Sequence, residues 1–266
     1  MRSQRWMVLP VVAALLLSAC GPTMFGTDTE GAVSDEQSSP ASVTTRPTTT
    51  TTTPRPPTAV ANPSATGTPD PAAVSPASLA SPLALEQRLA ALRFDVSPDG
   101  VLDDNSRQAL IAFQKLSGLP RTGKPTPDVI NALASARLPA PLMPGGGATR
   151  VEIDLVRQVL FLYAGGTLNK VLPVSTGTGK RYCDEGKCGI AVTPRGSYRV
   201  ERRISGWRKS DLGRLYNPLY FNGGIAIHGF PSVPPRPASH GCVRIPMGSA
   251  DSFPALVPDG TPVFVI

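Results

Sequence analysis

Residues 226–244 read AIHGFPSVPPRPASHGCVR, and this stretch holds both histidines of the chain, His228 and His240, together with Cys242. A thiol becomes a strong nucleophile when a neighbouring imidazole takes up its proton. The apolar run Ala226-Ile227 ends on His228, so a strand presents the base from a rigid element. In Ser239-His240-Gly241-Cys242 a residue without a side chain precedes the thiol, which lets backbone amides approach a reacting carbonyl as an oxyanion hole. Cys242 is therefore the candidate nucleophile and His228 its candidate base.

Cysteine parity nominates the same thiol. The chain begins with Arg2 and Arg5, an apolar run from Trp6 to Leu17, and small residues up to Cys20, the order of an export signal. That run is too short for a permanent membrane span. Leu17-Ser18-Ala19-Cys20 resembles the bacterial lipobox, which implies a lipid on Cys20 as the first mature residue. Of four cysteines, three then remain, and disulfides persist outside the cytoplasm. Cys183 and Cys188 flank a four-residue stretch containing Gly186 and are close enough for a small disulfide-closed loop. As a metal pair they lack a further nearby cysteine or histidine to complete a tetrahedral site. Cys242 is the thiol left over.

Outward from the string, the hydrophobic pattern is that of a β-rich domain. Val151, Ile153 and Leu155 alternate with Glu152 and Asp154, Val159 to Tyr163 is continuously apolar, Gly165-Gly166 turns the chain, and Val171 to Val174 resumes. Further strands are expected at Gly196 to Val200, Leu219 to Asn222, Ile225 to His228 and Thr261 to Ile266, with a short helix near Met247 to Leu256. The region 139–148 is rich in Pro and Gly and reads as a hinge.

Before that hinge, Leu85, Leu89 and Leu92 have helical spacing, Ser97-Pro98-Asp99-Gly100 makes a turn, and Asp103 and Asp104 precede a second helix with Ala109, Phe113 and Leu116 on its apolar stripe. Pro127 opens a third helix carrying Val129, Ile130 and Leu133. Residues 82–138 thus form a small three-helix bundle. Residues 21–81 hold a run of six threonines and Thr-Pro-Arg-Pro-Pro with no sustained hydrophobic period. Such a segment is a disordered tether, spanning roughly 40 Å on average for about fifty residues.

The net charge is +7, with seven basic residues between Arg195 and Arg214. In an exported chain this favours anionic wall polymers and carboxylate-bearing peptides over nucleic acid.

Two resemblances follow. Asp99-Gly100, Ala109, Phe113-Gln114, Gly118-Leu119, Gly123 and Leu133 resemble the three-helix peptidoglycan-binding module, which implies wall binding. Ile227-His228-Gly229 with Ser239-His240-Gly241-Cys242-Val243-Arg244 resembles the signature of the L,D-transpeptidase (YkuD-type) catalytic domain. Thr193 to Tyr198, Asn217 to Phe221 and Asp259 to Val263 follow in the order of that family, so the likeness runs over 149–266.

The family resemblance implies a β-sandwich without metal or organic cofactor. It also implies a Cys242 thioester on the third residue of a tetrapeptide stem and its transfer to an amine, giving a 3-to-3 cross-link in peptidoglycan. By matching position, His228 forms an ion pair with Cys242 and the Gly229 region orients it. His240 polarises the site or holds the oxyanion loop, and the amides of Gly241 and Cys242 receive the oxyanion. Arg244 suits a substrate carboxylate; Ser239 is a loop hydrogen-bonder, and Tyr216, Asn217 and Trp207 line the groove or fill the core. Phe230 stands where the family commonly has a small hydroxyl residue, and four prolines stiffen a short stretch before Cys242.

The expected protein is an acyltransferase held to the outer face of the cytoplasmic membrane, or within the envelope, by its lipid. Two alternatives share these residues: an L,D-carboxypeptidase or wall-protein-linkage hydrolase using the same thioester, and a non-catalytic peptidoglycan-binding lipoprotein.

Overall fold

A computed structural model of the chain describes residues 69–184 and 186–266. The export signal, Cys20 and most of the expected tether lie outside the described residues. The tether's final stretch does not fit its description as free chain. Leu79, in a 3-10 turn at Pro76–Leu79, is buried, the Val74 amide donates to Ala134 O, and the Asp70 carboxylate accepts the Leu138 amide. One apolar side chain and a few backbone groups suffice to dock a segment that composition alone assigns to the linker.

Three helices follow: α1 (Pro82–Ala91), α2 (Asp104–Leu116) and α3 (Pro127–Ser135). Ser81 and Asp103 cap the first two by accepting the amides of Ala84 and Ser106, and Pro occupies the first position of α1 and α3. Leu85, Leu89, Leu92, Phe113 and Leu133 meet in their core, as their spacing predicts. Glu86 is a surprise, because it is fully buried on α1. Its carboxylate accepts the amides of Asp99 and Gly100 and the Ser106 hydroxyl, so a charge placed among leucines pins the turn between the helices.

The sheet-rich part contains β1 (Arg150–Asp154), β2 (Val159–Ala164), β3 (Thr167–Pro173), β4 (Arg181–Asp184), β5 (Lys187–Ile190), β6 (Gly196–Arg199), β7 (Arg202–Arg203), β8 (Trp207–Ser210), β9 (Gly213–Asn222), β10 (Ile225–Gly229), β11 (Val243–Ile245), α4 (Met247–Leu256) and β12 (Pro262–Val265). One sheet has the order β3-β2-β1-β12-β6, and the other β11-β10-β9-β7 with β8 also on β9. Val151, Ile153, Leu160 and Leu162 of the first sheet and Leu219, Phe221, Ile227 and Val243 of the second share one core, so the unit is a sandwich. The hairpin β4–β5 stands apart from both sheets.

The structure corrects the reading of 139–148 as a hinge. Val159, Phe161, Tyr163, Leu168 and Val171, on the outer face of the first sheet, belong to the same core as the helices. This explains why Val159 to Tyr163 is continuously apolar: both faces of β2 are covered. The segment itself is tied down, because Glu152, fully buried, accepts the amides of Leu142 and Met143 and pairs with Arg150 at 2.6 Å. Lys115 of α2 donates to Gln158 O and Val174 O, both at 2.9 Å. Helices and sandwich are one compact unit.

Candidate active site

Strand alternation decides which side chains meet. On β10, Ile227 enters the sandwich core while Ala226 and His228 face the other way. β11 runs parallel to β10 with Ile227 opposite Val243 and His228 opposite Arg244. Continuing this register by one residue sets Cys242 beside Ala226. Tyr220 of β9 also opposes Ala226, and Arg202 of β7 opposes Tyr220. The row Arg202, Tyr220, Ala226, Cys242 therefore crosses the outer face of the sheet, with His228 and Arg244 in the next row. Apart from Ala226, all of these side chains line one cavity of about 510 Å³.

Cys242 is free, while Cys183 and Cys188 are disulfide-bonded across the β4–β5 hairpin. The Cys242 thiol donates to Gly224 O at 3.8 Å. Burial pushes its pKa up, against the opposing pull of a backbone hydrogen bond with Ala226 and of the Arg244 charge. His228 is buried, with Nδ1 2.9 Å from Gly229 O. A carbonyl only accepts, so Nδ1 carries the proton and Nε2 is left as the basic nitrogen. Burial lowers the His228 pKa to about 4, Arg244 adds to the lowering, and the Gly229 carbonyl opposes it.

Burial works against both charges of the expected Cys242–His228 ion pair. No hydrogen bond joins the thiol to the imidazole among the described residues, and burial favours a neutral thiol beside a neutral imidazole.

The loop before Cys242 is built from hydrogen bonds the sequence could not reveal. The Gly241 amide donates to Ser239 Oγ at 3.1 Å, and Gly241 O accepts from Thr193 Oγ1 at 2.6 Å. The Gly241 amide is thus occupied, which leaves the Cys242 amide as the oxyanion candidate. Glycine is needed at 241 because its φ is 145° and a Cβ there would lie 2.8 Å from Val192 O. Ser239, expected among the substrate-binding residues or as a loop hydrogen-bonder, lines the cavity and holds the loop through Thr176 O and Cys242 O. His240 directs Nε2 to Asp184 Oδ2 at 2.8 Å and packs on Tyr182, so it ties the loop to the disulfide hairpin.

Four other residues expected at the site do not line the cavity. Gly229 packs against α4, where a Cβ would meet Ala250 Cβ at 2.6 Å, and acts through its carbonyl on His228. The Tyr216 hydroxyl donates to Asp251, and Asn217, at φ 46°, bridges Gly206 N and Ala250 O; neither lines the cavity. Trp207 lies on the Tyr216 ring outside it. Arg244 does face the cavity, its guanidinium 4.1 Å from the Phe230 ring centre. Arg202, Arg208, Arg214 and Tyr182 also line it. The only sequence signal of the three arginines was the basic stretch that contains them, and Tyr182 had none.

Residues 148–265 match the family of L,D-transpeptidase catalytic domains, and residues 80–133 match that of the peptidoglycan binding domain. The chain is similar to a solved L,D-transpeptidase from Xylanimonas cellulosilytica, with 35% identity and a TM-score of 0.65 over 74% of this chain and 97% of that one. An L,D-transpeptidase from Stackebrandtia nassauensis is 24% identical with a TM-score of 0.42, over 68% of this chain and 88% of that one. One from Mycobacterium smegmatis is 19% identical with a TM-score of 0.38, over 45% and 58%. No curated protein matches the sequence.

Proposed function

The chain belongs to the L,D-transpeptidase family, and we propose that it forms 3-to-3 cross-links between peptidoglycan stems with Cys242 as nucleophile and His228 as general base. The observation that carries this reading is the cavity in which a free thiol and a buried imidazole with a free Nε2 stand on adjacent strands.

The thiol attacks the carbonyl of the third stem residue while its proton passes to His228 Nε2. The Cys242 amide takes the hydrogen bond of the developing oxyanion. Collapse of the tetrahedral intermediate expels D-alanine, whose nitrogen takes the proton from His228, and leaves a thioester on Cys242. An amine of a second stem attacks the thioester carbonyl and gives its proton to His228, and the departing sulfur takes that proton back to restore the thiol and the neutral imidazole. Burial disfavours either charge alone, so the imidazolium is held by the negative charge on sulfur or oxyanion that forms with it and by the Gly229 carbonyl on Nδ1.

Peptidoglycan is the partner of the helical part as well, since residues 80–133 match a peptidoglycan binding domain. Its shared core with the sandwich fixes wall contact at a set distance from Cys242. Attachment through a lipid on Cys20, and residence on the outer face of the cytoplasmic membrane or within the envelope, complete the proposal. The basic, apolar and small-residue order of 1–20 supports it. Loss of membrane association in Cys20→Ala tests it.

The reaction is tested by incubating the full chain with tetrapeptide-rich wall and analysing the muropeptides. Dimers lacking D-alanine at the junction, absent with Cys242→Ala, are the expected result. Tripeptide monomers alone would instead assign a hydrolase.

A further inference from the structure

The loop that carries Cys242 is held on both sides of the thiol by one short segment, residues 174–178, which follows β3. After the thiol, Ser175 and Arg244 exchange backbone hydrogen bonds at 3.1 and 3.0 Å. Before it, Thr176 O accepts the amides of Ala238 and Ser239 at 3.0 and 2.9 Å. The Gly177 amide donates to Thr193 Oγ1, which in turn donates to Gly241 O. That last contact bears on catalysis. Gly241 O and the Cys242 amide belong to one planar peptide unit, so holding the oxygen fixes the direction in which the oxyanion donor points.

The segment is itself held from behind by Gln158, the residue that ends the turn between β1 and β2. Its Oε1 accepts the Thr176 amide at 3.0 Å. Its Nε2 donates to Thr176 Oγ1 at 2.7 Å and to Leu155 O at 2.8 Å. Both amide protons and the carbonyl are thus used, and the group is buried, so each bond is costly to break. The backbone joins in: Gln158 O accepts the Val174 amide and Lys115 Nζ, and the same Nζ reaches Val174 O.

Gln158 takes this place against its backbone preference. Its φ is 62°, the left-handed region in which glycine is at ease and a long side chain is not. A turn that only joined two strands would be better served by glycine. Outside its own turn the Gln158 amide meets Thr176, so the strained residue is matched to the segment behind the loop. Neither Gln158 nor Thr176 lines the cavity, and any effect on the reaction passes through the loop.

We propose that Gln158 is a positioning residue for acyl transfer: by locking Thr176, it keeps residues 174–178 against the catalytic loop and the Cys242 amide aimed at the oxyanion. This rests on the reading of Cys242 as an acyl-accepting nucleophile, and it is independent of which amine receives the acyl group.

The test compares two reactions of the same thiol in the full chain. Acylation by p-nitrophenyl acetate passes through an oxyanion, whereas alkylation by iodoacetamide does not. The Cys242→Ala chain corrects for reaction at other groups, Cys20 included. Gln158→Gly removes the side chain and suits the backbone. It is expected to slow acylation by about 10- to 100-fold, as a misaimed donor would, and to leave alkylation within about threefold. Thr176→Val is expected to lose less in the same direction, and Thr176→Ser, which keeps the hydroxyl, to recover most of that loss. With a tetrapeptide stem as donor, the loss should fall in kcat, with KM within about twofold. Equal slowing of acylation and alkylation, or acylation unchanged in both Gln158→Gly and Thr176→Val, overturns the positioning role. The Thr176 pair decides alone if Gln158→Gly does not fold. If the unmutated chain transfers no stem acyl group to an amine while the acylation difference persists, the transpeptidase reading falls and the positioning role stands.

Discussion

In the sheet beneath the helices, Glu152 is fully buried yet receives two backbone amides and the Arg150 guanidinium, and even Lys115, reaching in from α2, ends on two carbonyls. In the facing sheet, His228 is as deeply placed but has one ring nitrogen free, and Arg244 stacks on Phe230 without a carboxylate. Both sheets are built on the same apolar interior. They differ in what covers the outer face. Helices and the 139–148 segment close over the first, and its charged groups Arg150, Glu152 and Lys115 all find internal partners, although the Tyr163 hydroxyl is buried there without one. A cavity borders the second, and its groups are left to be completed by a substrate.

This contrast can be broken from either side. The largest effect is expected at the open face: His228→Gln removes the proton acceptor and should lower kcat/KM by about 10²–10⁴-fold, the range for a general base, while the melting temperature stays close to that of the unmutated chain. A comparable loss of stability would place His228 among the structural groups instead.

At the closed face the effect is on stability. Burial, with a smaller contribution from the Arg121 charge, lowers the Lys115 pKa from 10.5 in the unfolded chain to about 7. Between those values the unfolded chain binds more protons, so stability rises with pH from about 7 to about 10, and the cost of the buried charge is greatest below about pH 7. Urea unfolding at pH 6 and pH 9.5 should show this rise, on the order of a few kcal/mol, and Lys115→Met should flatten it.

A smaller effect concerns the thiol itself. Burial raises the Cys242 pKa and lowers that of His228, so alkylation of Cys242 by a small thiol reagent should climb through and beyond the ordinary thiol range near pH 8.5, with no plateau at lower pH. A plateau extending to pH 5 would mean a resting thiolate-imidazolium pair. With the His228 pKa near 4, the acid limb of kcat/KM should fall only below about pH 5.

The same contrast explains what was legible in the sequence. Helical spacing at Leu85, Leu89 and Leu92 and the turn at Asp99-Gly100 are local signals, and the folded helices obey them. Cys242 and His228 stand out by rarity and parity. The hinge misled because Pro and Gly in 139–148 describe the backbone's freedom, not what the sheet does with it; the fully buried Glu152 that binds the segment looks like a solvent-facing residue in strand alternation. The continuous run Val159 to Tyr163 did carry the missing information, since a strand covered on one face only would have alternated. Arg202 could not be joined to Cys242 from sequence, because their proximity is a product of register across four strands. Likewise, nothing local tells that the Gly241 amide is consumed by Ser239.

The most direct test of the account is to trap the acyl group. The full chain is mixed with a tetrapeptide stem whose amines are blocked so that no acceptor is present, quenched in acid, and mapped by mass spectrometry. The prediction is one tripeptide acyl group per chain, on the peptide containing Cys242, with one equivalent of D-alanine released and no adduct in Cys242→Ala. An adduct on another residue, or D-alanine release that persists in Cys242→Ala, would contradict it.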